Sequence, residues 1–202
     1  MDLSHTEKTF LLESFRNNLR VDGRSTLDFR SVHVTTSTVP HAFGSATIVF
    51  GEERTKIIAA VKAEIAVPAS SSQPDRGTLR FYLESSQTGH SLFTREQDQL
   101  KTKTQILALL SSFMGEAVDL RELCIAPGER AWTLHVDVLV LDELALWQLD
   151  AISFAIRAAL LDLRLPKVTC IVDKNTGKVE VDLLENIDEE AEGADEEVHL
   201  DC

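Results

Sequence analysis

Cysteine is scarce in this chain: three in 202 residues, Cys124, Cys170 and Cys202. An odd count at wide spacing excludes both a disulfide framework and a close-paired zinc motif. A reduced compartment, cytosolic or nuclear, is the expectation. No apolar run reaches the roughly 20 residues of a membrane-spanning helix. The start, Met1 to Glu7, lacks the basic opening and apolar centre of a secretory signal, so no membrane partner is expected. Positive charge is also in short supply. Twenty Lys and Arg face 33 Asp and Glu, for a net charge of −13. That balance argues against a free-standing nucleic-acid binder, because phosphates are drawn to clustered Lys and Arg. Phosphate loops, dinucleotide fingerprints and serine-nucleophile elbows are all missing. His33, His41, His90, His135 and His199 have no metal-ligand spacing. Neither a metal nor a cofactor is expected.

What is present describes a packed protein. The hydrophobic fraction is 44%, too high for general disorder. Much of the acidity is local, since Glu185 to Asp201 contains no Lys or Arg. Such a block reads as a solvated tail, and the rest of the chain is only mildly acidic.

Ser4 and Glu7 have capping-box spacing ahead of a short amphipathic helix with Phe10, Leu11, Phe15 and Leu19, which stops near Asp22-Gly23. Strands are predicted over 32–36, 44–50, 56–65 and 78–83, with a loop over 69–74. Thr94 and Gln97 form a second capping-box pattern for a long helix. Its buried side is predicted from Leu100, Ile106, Leu107, Leu110, Phe113 and Met114, and its end from Gly115. The run 132–141 is a central strand. A second helix follows, with Leu149, Ile152, Ile156 and Leu160 on one face and Pro166 at its exit. Strands over 168–172 and 178–183 flank a hairpin turn at 173–177. His135, Cys124 and Cys170 are read as packed residues. The order gives an α+β fold in which helices pack on a mixed sheet.

Four blocks carry a resemblance. The first is Arg20-Val21-Asp22-Gly23-Arg24, followed by Asp28-Phe29-Arg30. Next come Gly44-Ser45-Ala46 with Val61-Lys62-Ala63-Glu64, then Asp119 to Pro127 running into Trp132 to Val138. The last is Asp150-Ala151-Ile152-Ser153, with Ala158 to Leu160 and Leu165 to Val168. In this order they resemble the RNase PH family, and within it the ring subunits of the eukaryotic RNA exosome of the branch called ribosomal RNA-processing protein forty-two. Arg20, Asp22, Gly23, Arg24, Asp150 and Ala151 are the signature residues. The resemblance implies an RNase PH-like domain, similar to the second domain of ribosomal protein S5, with a C-terminal second domain largely missing. The division expected is an N-terminal helix at 1–20, this domain at 21–184, and an acidic tail at 185–202 where a shortened second domain would begin.

Active members of that family release 3′ nucleotides with inorganic phosphate as nucleophile, which needs arginines for phosphate and carboxylates for a metal or a proton. Arg95 stands where they place a phosphate-binding arginine at the start of the long helix. The other half of their site is a glycine-rich turn and an arginine between central strand and second helix. Here that stretch is Asp142 to Leu149, with neither Gly nor Arg. Asp142 and Glu143 would repel phosphate, while Leu144, Leu146 and Trp147 suit contact with a neighbouring surface. Asp182 and Asp188 have a spacing like the active members' carboxylate pair, as any two acids in so acidic a stretch would.

The resemblance therefore implies a non-catalytic structural subunit of the exosome ring. It would support 3′-to-5′ processing and degradation, including rRNA maturation and mRNA turnover, by guiding RNA to a separate nuclease. Arg76, Arg80 and Arg95 are the candidate RNA-path residues. The implied partners are other RNase PH-like ring subunits (especially the paralogue resembling protein forty-one), cap proteins and RNA. The implied locations are nucleus, nucleolus and cytoplasm. The competing readings are an active phosphate-dependent exoribonuclease and a chain unable to assemble.

Overall fold

The computed structural model describes residues 3–51, 55–68, 73–86, 96–142, 144–172 and 179–183. Contacts divide the chain into two compact units, Met1–Val32 and His33–Cys202.

In the first unit, α1 covers His5–Arg16. Its start is the predicted capping box: Ser4 Oγ accepts from Glu7 N at 3.3 Å, and Glu7 Oε2 accepts from Ser4 N at 2.7 Å. The helix ends earlier than expected, before Leu19. Asn18 adopts a left-handed φ of 55°. Leu19 N then donates to Ser14 O and Asn18 N to Phe15 O, at 2.9 and 3.1 Å, the double bond of a Schellman cap with Asn in the glycine position. None of the residues of α1 is buried.

The second unit is built on a mixed sheet. Strands β1 (Val32–Thr36), β2 (Gly44–Phe50), β3 (Thr55–Ala66), β4 (Thr78–Ser85), β5 (Cys124–Ala126) and β6 (Arg130–Val140) pair in the order β1-β2-β3-β6-β4, with β5 added to β6. β2, β3 and β6 run antiparallel, and β4 lies parallel to β6. β6 is flanked on both sides, as its Val- and Leu-rich pattern predicts. Alternate residues of β2, β3 and β6 (Ala46, Ile48, Ile57, Ala59, Val61, Leu134, Val136, Val138, Val140) are buried on one face.

That face is covered by α3 (Leu149–Leu161), which lies against β2 and β3, and by α2 (Glu96–Ala117), which lies against β4. α3 buries Ala151, Ile152, Ala155, Ile156 and Ala159, a stripe at i, i+1, i+4, i+5, i+8 whose three alanines allow close approach. The closeness has a limit at Gly44, where an added Cβ would stand 2.5 Å from Ala159 O and 2.8 Å from Leu163 Cα. α3 ends at Leu161 rather than near Pro166, because Asp162 leaves the helix to bond β2 and its neighbour loop. Its carboxylate accepts from Ser37 N (3.0 Å), Ser37 Oγ (2.9 Å) and Ser45 N (3.1 Å).

α2 also departs from expectation. Ile106 and Leu110 are buried, but Leu100 and Phe113 are exposed, and the helix continues through Gly115 to Ala117. The stripe in contact with the sheet is narrower than the apolar spacing suggests. Three short elements were not foreseen: 3-10 turns at Leu120–Leu123 and Leu146–Gln148, and β5. β7 (Val168–Val172) and β8 (Val179–Leu183) form a separate antiparallel hairpin, with Cys170 exposed rather than packed and Cys124 half-buried. The predicted turn at 173–177 and the tail at 185–202 lie outside the described residues, as do most of the 69–74 loop and Thr94 of the second capping pattern. No described helix is long and apolar enough to cross a membrane.

Candidate functional site

Where β4 ends and α2 begins, the β6–α3 connection passes close by and leaves a recess of about 330 Å³. It is lined by Glu84, Ser85, Gln99, Leu100, Lys103 and Leu144. The strands bring their ends to this point in register, since Ser85 pairs with Val140. Ser86 N donates to Val140 O at 2.8 Å, holding the chain beside the connection. Leu144 is buried and forms the apolar wall, while Leu100 is 65% exposed. Among the described lining residues Lys103 is the one cation and Glu84 the one carboxylate. The connection continues into the 3-10 turn. There the fully buried Gln148 accepts from Ala145 N through Oε1 at 2.9 Å, a cap made by a side chain three residues on. Leu146 and Trp147 are about half exposed, at 49% and 47% of their surface. Asp142 is exposed as well. Arg95, Glu143, Asp188, His90 and His199 lie outside the described residues.

The face of the sheet opposite the helices carries a row of charge. On β6, His135 sits between β3 and β4, opposite Lys62 on one side and Arg80 on the other. Its Nε2 is 3.0 Å from Glu64 Oε1 and its Nδ1 is 3.3 Å from Tyr82 Oη. The imidazole stacks on the Tyr82 ring with centroids 5.8 Å apart and planes at 19°. Two residues along, Lys62 Nζ donates to Asp137 Oδ2 at 2.6 Å, and this bond holds the Lys62 ammonium above its ordinary pKa. His135 is thus packed, as its strand position implies. Among the described residues no group of three or more His, Cys, Asp or Glu could hold a metal ion.

Arg80 is exposed on this face, next to His135. Arg76 is half-buried in the segment before β4, four residues away, or about 13 Å along an extended chain. Arg95, the third candidate arginine, lies outside the described residues.

The Arg20 to Arg24 signature forms a closed turn in the first unit. Gly23 has a φ of 85°, the left-handed region that glycine enters without strain. Its N–H donates to Arg20 O at 3.0 Å, and Arg20 N donates to Arg24 O at 2.8 Å. The Arg24 guanidinium grips Asp22 at 2.6 and 2.9 Å and donates to Asp28 O at 2.8 Å. Arg20 donates to Thr26 O. The Arg24 bond holds the Asp22 carboxyl below the usual range, and the Ser25 N–H does the same for Asp28. The Arg24–Asp22 pair and the backbone bonds close the motif on itself as a turn, while Arg20 Nε is buried with no hydrogen-bond partner among the described residues. The second signature pair divides its work on α3: Asp150 is exposed in the first turn, where a carboxylate suits the helix dipole, and Ala151 is fully buried. Asp182 is exposed on β8.

Sequence reasoning identified the β6–α3 connection and missed the recess and the Glu64–His135–Tyr82 array. A period-two reading places all three on the same sheet face. It could not foresee that β3 and β4 flank β6.

Comparison with known proteins places this geometry among relatives. Residues 28–166 match the family described as RNase_PH, 3′ exoribonuclease family, domain 1. The chain is 32% identical over 170 residues to exosome complex component RRP45 of Danio rerio, covering 82% of this chain and 41% of that protein. It is 34% identical over 163 residues to exosome complex component Rrp42 of Sulfurisphaera tokodaii, covering 80% of this chain and 58% of the relative. The chain thus spans about half the length of these relatives. Among solved structures, the Archaeoglobus fulgidus exosome with RNA bound to the active site superposes with a TM-score of 0.62 at 27% identity, over 87% of this chain and 74% of that one. An archaeal exosome core gives 0.59 at 27% identity, over 87% and 72%.

Proposed function

Because the chain belongs to the RNase PH family, we propose that it is a non-catalytic subunit of an RNA exosome ring, which holds its place among RNase PH-like neighbours and lets RNA pass to a separate nuclease. The observation that carries this reading is the β6–α3 connection. Phosphorolysis needs a cluster of positive groups where the phosphate attacks. Over 142–148 the chain has no Arg and no Gly, and among the described residues the recess beside it is lined by one lysine and one glutamate. Against these described residues a phosphate would gain one favourable charge and meet another of its own sign.

The partners in this reading are other RNase PH-like ring subunits, including one resembling protein forty-one, together with cap proteins and RNA. Location in nucleus, nucleolus and cytoplasm goes with it. Relatives named RRP45 and Rrp42 have similar identity to the chain, and the proposal is made at the level of a ring subunit. Arg76, Arg80 and Arg95 are its candidate contacts to the RNA backbone, which would be indifferent to sequence and weakened by salt.

Two measurements test it. Purified protein incubated with 3′-ended RNA and inorganic phosphate is expected to release no nucleoside diphosphate; phosphate-dependent release would sink the non-catalytic reading. Co-expression with an RNase PH-like paralogue, followed by size-exclusion chromatography with light scattering, is expected to give a stoichiometric complex. A chain that stays monomeric beside every ring paralogue would remove the assembly role.

A further inference from the structure

We propose that the recess between β4, α2 and the β6–α3 connection docks an extended peptide segment of a protein partner, one that seats an aliphatic side chain between a carboxylate and a cationic group. The inference does not depend on ring membership. At about 330 Å³, the recess is at the small end of the range for ligand sites and has room for one aliphatic side chain with its backbone. Leu144 gives it a buried apolar wall, and Leu100 lies at its edge with most of its surface in water. A covering side chain would remove that surface from solvent, which drives association wherever a concave apolar site is left open.

Charge selects the occupant. Half-buried Lys103 and exposed Glu84 face the same hollow, and neither has a hydrogen bond or ion pair among the described residues. Among the described residues, a polyanion such as RNA, or a free phosphate, answers Lys103 while bringing its own charge against Glu84. A peptide carries both signs and an apolar group together, so it satisfies all three features at once. The backbone supports the same choice. Among the described residues β4 ends the sheet order with β6 as its one strand partner, so its outer side offers ladder groups to an added extended segment. Glu84 and Ser85, at the end of that strand, also line the recess. An added strand would deliver its side chains to the place where Glu84 and Lys103 lie.

The test is selection of a phage-displayed library of random dodecapeptides on the full chain. Enriched sequences would then be synthesised and bound in fluorescence anisotropy and ¹⁵N-edited NMR. The expected motif has an aliphatic residue with Asp or Glu on one side and Lys or Arg on the other, and its NMR shifts centre on residues 84–85, 99–103 and 144. Lys103→Glu, a surface change whose fold is checked by thermal melt, should weaken such a peptide by roughly tenfold. Repeating the selection on that variant should replace the acid of the motif with a base. Leu100→Ser should weaken binding without altering the charge preference. The proposal is overturned if no motif enriches, or if the motif ignores both substitutions. It is equally overturned if oligoadenylate or inorganic phosphate, rather than peptide, shifts these residues. The ring-subunit reading is judged separately, by the complex it forms with a paralogue.

Discussion

Glycine does opposite things at two places in this chain. At Gly44 an added methyl group would meet the backbone of Ala159 and Leu163 at 2.5 to 2.8 Å, and backbone cannot swing aside. Gly44→Ala is expected to cost about 1–3 kcal/mol, the usual penalty for overpacking, seen as a lower urea midpoint. Gly115 has nothing within 4 Å of the same added atom and lies inside α2. Gly115→Ala should stabilise by about 0.5–1 kcal/mol, since glycine is the poorer helix former; a loss there would mean that α2 is not helical at that position. His135 offers a different kind of test. The carboxylate of Glu64 can only accept a hydrogen bond, so neutral His135 must carry its proton on Nε2 and accept from Tyr82 through Nδ1. ¹⁵N chemical shifts of the imidazole should report the Nε2–H tautomer, and Tyr82→Phe should relax that preference. An Nδ1–H ring would contradict the geometry.

Elements were legible in sequence where one periodicity governed them. β6 alternates cleanly because both neighbours and one helix-covered face constrain it. Ile152 and Ile156 fall on the buried side of α3 as their spacing requires. The same logic overreached on α2. Spacing reports which residues could share a face, whereas contact with the sheet selects only Ile106 and Leu110. The end of α1 was misplaced because Asn18 took the left-handed role and the reading waited for Gly23. Strand order and the parallel sense of β4 left no local trace, since they are set by pairing across many residues. For the site, the missing glycine and arginine after β6 were plain in the sequence. The recess was not, because it needs three separate segments to meet. A stability contrast follows for α3. Ile156→Ala, in a fully buried position, should cost about 2–5 kcal/mol, while Leu161→Ala, on the wet side, should stay within about 0.5 kcal/mol. Chemical denaturation of the two variants side by side checks the orientation of the helix.

At the scale of the whole molecule, stability should depend on pH at both ends. The carboxyls of Glu7, Asp22, Asp28 and Asp162 are held below their ordinary values, chiefly by the Ser4 backbone N–H, Arg24, the Ser25 N–H and the Ser45 N–H respectively. A depressed folded pKa stabilises above the unfolded value, roughly pH 4, and that stabilisation is lost as pH falls through the folded value. Lys62 is shifted upward by Asp137, so its contribution is complete below the ordinary lysine range and lost as pH rises through the raised value. A plateau in the urea midpoint between these limits is expected. None of the five groups is buried, so both limbs should be shallow and flatten further with salt. Asp162→Asn should remove part of the acid limb; an unchanged acid limb would show that the Ser37–Asp162–Ser45 tie does not contribute.

The position of β6 also has a consequence for how the chain comes off the ribosome. β3 and β4 do not pair with each other, and each depends on β6 for the contact that joins it to the other. β6 finishes about 55 residues after β4 ends, an interval of roughly 3–11 s at ordinary rates of synthesis. Through that interval β4 has been made but the strand that will hold it has not. A nascent chain arrested before Arg130 should therefore be protease-sensitive at β4 and bound by chaperones. One arrested with Val140 clear of the exit tunnel should become resistant in a single step, as one late strand closes the seam between two fragments of sheet.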